Sequence, residues 1–117
     1  MDIRKSQVGA VAVVAPLGRI DHTQAPLFQG AMEPYVAACR SGGTPLLIDF
    51  SGVEYISSVG LRALMLISRT VAAQKGAVAI AALQPTVQEV FQISRFHLVF
   101  EIYDSVAAGV AVLGEGL

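Results

Sequence analysis

Apolar positions change their spacing several times along this chain, and each change marks an element. Residues 2–8 alternate loosely, Gly9 breaks the run, and residues 10–17 are dense in valine, so an N-terminal β-hairpin is predicted. Leu27, Phe28, Ala31, Met32, Tyr35, Val36 and Cys39 then recur at three- and four-residue spacing, one face of a helix over 24–40 that Asp21 or Thr23 can cap. Pro34 falls inside that pattern and is expected to kink or break it, and Ser41-Gly42-Gly43 ends it. Residues 45–50 are nearly all apolar, as in a strand covered on both faces.

A short polar turn leads from that strand into a second helix over 58–74. The predicted inner face is Leu61, Leu64, Met65, Ile67 or Ser68, and Val71, with Arg62, Arg69 and Lys75 toward water and Gly76 as the glycine past the helix end. Residues 77–83 form another buried strand. Pro85 opens a third helix with an inner stripe of Val87, Val90, Phe91 and Ile93. A last strand is predicted over 99–102, and Asp104 or Ser105 caps a C-terminal helix carrying Val106, Ala107, Val110, Ala111 and Leu113.

The predicted order is β-β-α-β-α-β-α-β-α. Strands joined through helices imply right-handed parallel crossovers, with the hairpin as an antiparallel edge. The fold class is therefore α/β, a mixed and mostly parallel sheet with about four helices. With no internal repeat or linker, one domain spanning residues 1–117 is expected.

Composition narrows the function classes. With 54% hydrophobic and 15% charged residues the chain is too apolar for intrinsic disorder. Its net charge is −1 and its longest basic run is Arg4-Lys5, so a clustered basic face for nucleic acid is not expected. Every apolar run is too short to span a bilayer. Arg4 and Lys5 ahead of a short apolar segment resemble a signal peptide, but Pro16 sits in the only plausible cleavage region, so a cytoplasmic location is expected. A mean hydropathy of +0.61 is high, which points to apolar surface used by a partner or a second copy.

Catalytic and metal patterns are absent. Ser58 stands at a strand-to-helix turn, yet Ile56 occupies the place where a G-x-S-x-G elbow needs glycine. His22 and His97 lack an acidic orienting partner in the sequence and read as loop residues. Two histidines and Cys39 at remote spacing match no zinc site, and 41–44 lacks the lysine of a phosphate loop, so no cofactor and no metal are expected. Cys39 reads as a small buried hydrophobe, and Asp49 as a carboxylate receiving backbone N–H groups.

What remains is the pair Ser57-Ser58 where the second helix begins. Serine suits a helix start because its oxygen accepts from an orphan N–H, and a helix N-terminus welcomes an anion. Either serine can thus be a plain cap or a switch that a phosphoryl group alters.

The string I-D-F-S-G-V-E-Y-I-S-S-V-G-L-R-A-L, residues 48–64, resembles the signature of STAS domains, found in bacterial anti-sigma-factor antagonists. Gly18-Arg19-Ile20-Asp21 is similar to that family's G-x-[IL]-D segment, and residues 100–106 resemble its F-x-I-Y-D-S run. The resemblance implies partner switching and no catalysis: binding to an anti-sigma factor that is often a serine kinase, release on serine phosphorylation, and reversal by a phosphatase. The docking surface it implies is Asp21, His22, Thr23, Ser57, Ser58, Val59, Gly60, Leu61 and Arg62, with the exposed side of the following helix. The family's acceptor serine immediately precedes the glycine, where this chain has Val59, and Ser57 replaces an acidic residue. Phosphorylation at Ser58, at Ser57, or at neither all remain open. The family also contains STAS subunits that bind an ABC-transporter ATPase or a sensory protein without phosphorylation.

Overall fold

The computed structural model describes residues 1–115. Gly9, at φ +59°, turns the chain between β1 (Ile3–Val8) and β2 (Val11–Pro16), which pair antiparallel with Val8 opposite Val11. After β3 (Gly18–Ile20) come α1 (Ala25–Ala38), β4 (Leu46–Asp49), β5 (Val53–Ile56), α2 (Ser58–Ala73), β6 (Val78–Ala81), α3 (Pro85–Ile93), a 3-10 turn (Phe96–Leu98), β7 (Glu101–Tyr103) and α4 (Val106–Glu115). The main sheet runs β1-β2-β4-β6-β7, parallel beyond its hairpin edge. This is the α/β architecture expected, with four helices.

Side-chain alternation divides the sheet's two faces. Ala12, Val14, Leu46, Ile48 and Ile80 share one core with residues of α1, α2 and α3, among them Phe28, Met32, Leu64 and Phe91. Val11, Val13, Leu47, Ala79 and Ala81 form the other core with Leu113 of α4. A Cβ at Gly109 would lie 2.8 Å from a Leu47 methyl, so that glycine sets how closely α4 approaches the sheet.

Several expectations are corrected. The segments read as plain loop and turn contain β3 and β5, which pair parallel to each other in a separate two-stranded sheet. α1 continues through Pro34 to Ala38 without a break. The buried side of α2 is Gly60, Ala63, Leu64, Ile67 and Val71, with Leu61 and Met65 only half-buried, because the helix start packs Gly60 directly on Ile20 and Ile56. The residue past the end of α2 in left-handed conformation is Lys75 (φ 57°), one before Gly76. Lys75 N donates to Ala72 O and Gly76 N to Val71 O, a Schellman closure. Gly76 is needed for a different reason: a Cβ there would collide with the Cys39 carbonyl. Ile93 is 83% exposed and absent from the inner stripe of α3. The last strand starts two residues later than expected because residues 96–98 form the 3-10 turn, and Ser105, whose Oγ accepts from Ala108 N, starts α4.

Candidate functional site

The two short parallel strands bring the candidate residues together. With Ile20 opposite Ile56, the parallel strands β3 and β5 end side by side, so the segments that follow, starting at Asp21 and Ser57, leave from the same end of the small sheet. Both isoleucines are buried and anchor the pair in the larger core.

Ser57 ties the two segments. Its N–H donates to Ile20 O at 2.9 Å and its hydroxyl to the same oxygen at 3.1 Å. With extended backbone (ψ 171°), Ser57 is the N-cap of α2, its Oγ accepting from Gly60 N at 3.2 Å. The hydroxyl is thus engaged as donor and as acceptor, and the residue is half-buried. Ser58, by contrast, is exposed on the first turn, beside Val59 at 44% exposure. Gly60 is buried against the strands, since a Cβ would stand 2.7 Å from Ile56 Cγ1 and 3.0 Å from both Ile20 Cγ2 and Ile20 O. Leu61 is half-buried and Arg62 faces solvent.

The neighbouring loop is ordered by Asp21, half-buried between exposed Arg19 and His22. One carboxylate oxygen accepts from Thr23 Oγ1 at 2.7 Å, Gln24 N at 3.0 Å and Thr23 N at 3.1 Å. The Thr23 hydroxyl, then the Gln24 N–H, hold this carboxyl below the usual aspartate value. Asp21 therefore shapes the turn into α1, whose first position follows Gln24. His22 and Thr23 project outward. Of the nine residues expected at the docking surface, Ser58, Val59, Arg62, His22 and Thr23 are exposed, Asp21, Ser57 and Leu61 are half-buried, and Gly60 is covered.

Two features were not singled out from the sequence. Arg19 and Tyr55 face each other across the small sheet, the guanidinium 4.2 Å from the ring centroid. Only the strand register reveals that pairing. The other is a groove of about 290 Å³ between α1 and α2, lined by Gln29, Glu33, Val36, Ala37, Leu66, Ile67, Thr70 and Gln74. Elsewhere, Asp49 accepts from Ser51 N as expected, at 2.9 Å, and His97 is exposed. Burial raises the Cys39 thiol, which donates to Ala77 O at 3.1 Å. Among the described residues no cluster of three or more metal-binding side chains occurs, and no helix is long and apolar enough to cross a membrane.

The profile of the STAS domain matches residues 2–109. A protein of Bordetella bronchiseptica named as an anti-sigma factor antagonist, BtrV, is 32% identical over 81 residues, 69% of this chain and 70% of BtrV. An anti-sigma-factor antagonist (STAS) domain protein from Planctomyces limnophilus superposes with a TM-score of 0.86 at 19% identity, covering 97% of this chain and 99% of its own. SpoIIAA of Bacillus in its phosphorylated form gives 0.67 at 17% identity, covering 95% and 99%. The two structures carry the fold, and the match over residues 2–109 carries the family: this chain belongs to the STAS domain family.

Proposed function

We propose that the protein is a non-enzymatic anti-sigma-factor antagonist that docks an anti-sigma factor through the paired turns at Asp21–Thr23 and Ser57–Arg62. The observation that carries this reading is the link from Ser57 to Ile20 O, which holds the two turns side by side while Ser58, Val59 and Arg62 stay exposed. The kinship with BtrV supports the class of partner. A surface that is rigid before contact loses little conformational entropy on binding, and no substrate pocket is required of it.

Regulation falls to Ser58. Phosphorylation of half-buried Ser57 would remove the proton its hydroxyl donates to Ile20 O and so break that tie between the turns, whereas the exposed Ser58 can take a phosphoryl group without dismantling the turn. A dianion added at the centre of the docking surface would oppose an apolar partner through desolvation and lost fit. A serine kinase, in many cases the anti-sigma factor itself, and an opposing phosphatase complete the cycle. A second reading is favoured by Val59, exposed and without a hydroxyl where the family carries its acceptor. It is constitutive binding, of an ABC-transporter ATPase or a sensory protein, with no phosphate involved.

The test is to purify the chain with each anti-sigma factor kinase of its host, measure affinity, and map phosphate by mass spectrometry after adding ATP. Binding of one kinase, modification at Ser58, and at least a tenfold loss of affinity in Ser58→Asp are expected. Binding that Ser58→Asp leaves unchanged, or phosphate mapped elsewhere, rejects the Ser58 assignment. No binding to any anti-sigma factor rejects the antagonist reading. Val59→Ser should become a phosphoacceptor for the same kinase.

A further inference from the structure

The exposed side of α2 carries a pattern that the docking turn does not explain. Val59, Arg62, Leu66 and Arg69 fall within an arc of about 80° at 3.6 residues per turn. All four are exposed, the two apolar ones to 44% and 40%. Aliphatic and guanidinium groups thus alternate down one stripe. The helix holds no acidic residue, so neither arginine has an intrahelical partner, and between Glu54 and Glu89 the only charged residues are Arg62, Arg69 and Lys75. Leu66 also lines the groove against α1, where Glu33 is the sole charged lining residue.

We infer that this stripe and the adjoining groove receive an acidic amphipathic helix of the partner, an extension of the docking surface that rests on the antagonist reading above. Charge complementarity along α2 selects that occupant, with its carboxylates on the Arg62 and Arg69 side of Leu66 and only its apolar ridge facing the groove that Glu33 lines. An apolar ridge of the incoming helix packs on Val59 and Leu66 and enters the groove, and carboxylates beside the ridge meet Arg62 and Arg69. The two arginines are seven residues apart, about 10.5 Å along the axis, so a helix lying along α2 offers matching carboxylates at the same spacing. Arg69 lies more than two turns beyond Ser58, where phosphorylation would not touch it directly.

The test uses the full chain. Against the anti-sigma factor that binds it, Arg69→Glu should weaken affinity about fivefold or more at low ionic strength, with the loss shrinking at high salt. Arg62→Glu/Arg69→Glu should lose more than either single variant, and thermal melts should stay unchanged. A complex that forms and is indifferent to Arg69→Glu overturns the inference and leaves the antagonist reading intact. If no anti-sigma factor binds, that reading fails and a second arm decides the inference alone. A synthetic leucine-striped helical peptide with two glutamates at the spacing of Arg62 and Arg69 should shift the amide resonances of Leu66, Arg69 and Thr70. Its lysine counterpart should not. No shift with the glutamate peptide overturns the inference. So does burial of the same residues by phosphatidylglycerol vesicles with the glutamate peptide inert, which would make the stripe a lipid contact.

Discussion

Gly60→Ala sets two opposed effects against each other at the start of α2. Gly60 lies outside the left-handed region, so alanine can adopt its backbone, and replacing glycine within a helix gains about 0.5–1 kcal/mol. Against that, the new Cβ would stand 2.7 Å from Ile56 Cγ1 and 3.0 Å from Ile20 Cγ2 and Ile20 O. Comfortable carbon contacts are about 3.5–4.0 Å. Both isoleucines are buried, so neither can swing into solvent to relieve the overlap. Ile20 O also receives both hydrogen bonds from Ser57, and moving it stretches the tie between the turns. Overpacking of this kind costs about 1–3 kcal/mol. The net expectation is a loss of about 1–2 kcal/mol, or roughly 4–8 °C in melting temperature, with a larger loss for Gly60→Val. Urea denaturation with an unchanged m-value is the assay. Gly30→Ala on α1 is the control, because nothing lies within 4 Å of a Cβ there, and it should gain stability. A Gly60→Ala protein as stable as the parent would refute the picture of a helix start clamped on two strands.

Three further outcomes follow from the same geometry. Ser57→Ala should cost about 1–2 kcal/mol through the lost cap, while Ser58→Ala should stay within about 0.5 kcal/mol, both read by urea denaturation. Asp21→Ala should be less stable than the parent at neutral pH. Because folding depresses the Asp21 pKa, its contribution is present above the ordinary aspartate range and disappears as pH falls through the lowered folded value, so melting curves of the two proteins should converge in acid. Gln74→Ala should cost about 1–3 kcal/mol, because the Gln74 amide donates to Val36 O at 2.9 Å and Cys39 O at 2.8 Å at the end of α1. Hydrogen exchange should then quicken at Ser41 N, which donates to Gln74 O.

The long periodic segments were readable because burial enforces their period. The α2 helix was expected over 58–74 and runs from Ser58 to Ala73, and the β4 and β6 strands lie within the predicted runs. β3 and β5 were not readable. They are three and four residues long, and Val53, Glu54, Tyr55 and Ile56 are buried, exposed, exposed and buried, a pattern with no period of two. Hydrophobicity favours Leu61 and Met65 for the inner face of α2, whereas the close packing of Gly60 on Ile20 and Ile56 turns that glycine inward, with Ala63 buried on the same side. Ile93 shows that an aliphatic residue in register with a buried stripe need not be buried.

The candidate site follows the same division. Neighbouring serines look alike in a sequence, and what separates them is the register of β3 against β5, which puts Ile20 O within reach of Ser57 alone. That contact bears on the acidic residue that the STAS pattern carries at the place of Ser57. Aspartate caps a helix as well as serine does, and its charge gains about 0.3–1 kcal/mol from the helix dipole. An ionised carboxylate, however, cannot donate to Ile20 O, and at the 3.1 Å now spanned by the hydroxyl two acceptor oxygens would repel. Ser57→Asp should therefore fall between Ser57→Ala and the parent at neutral pH, keeping the cap and losing the tie. Amide exchange should confirm retained protection at Gly60 N alongside weakened protection at Ser57 N. A Ser57→Asp protein more stable than the parent would mean that the hydroxyl bond to Ile20 O is worth less than the dipole gain, and that the Ser57 backbone N–H and the strand pairing suffice to hold the two turns together.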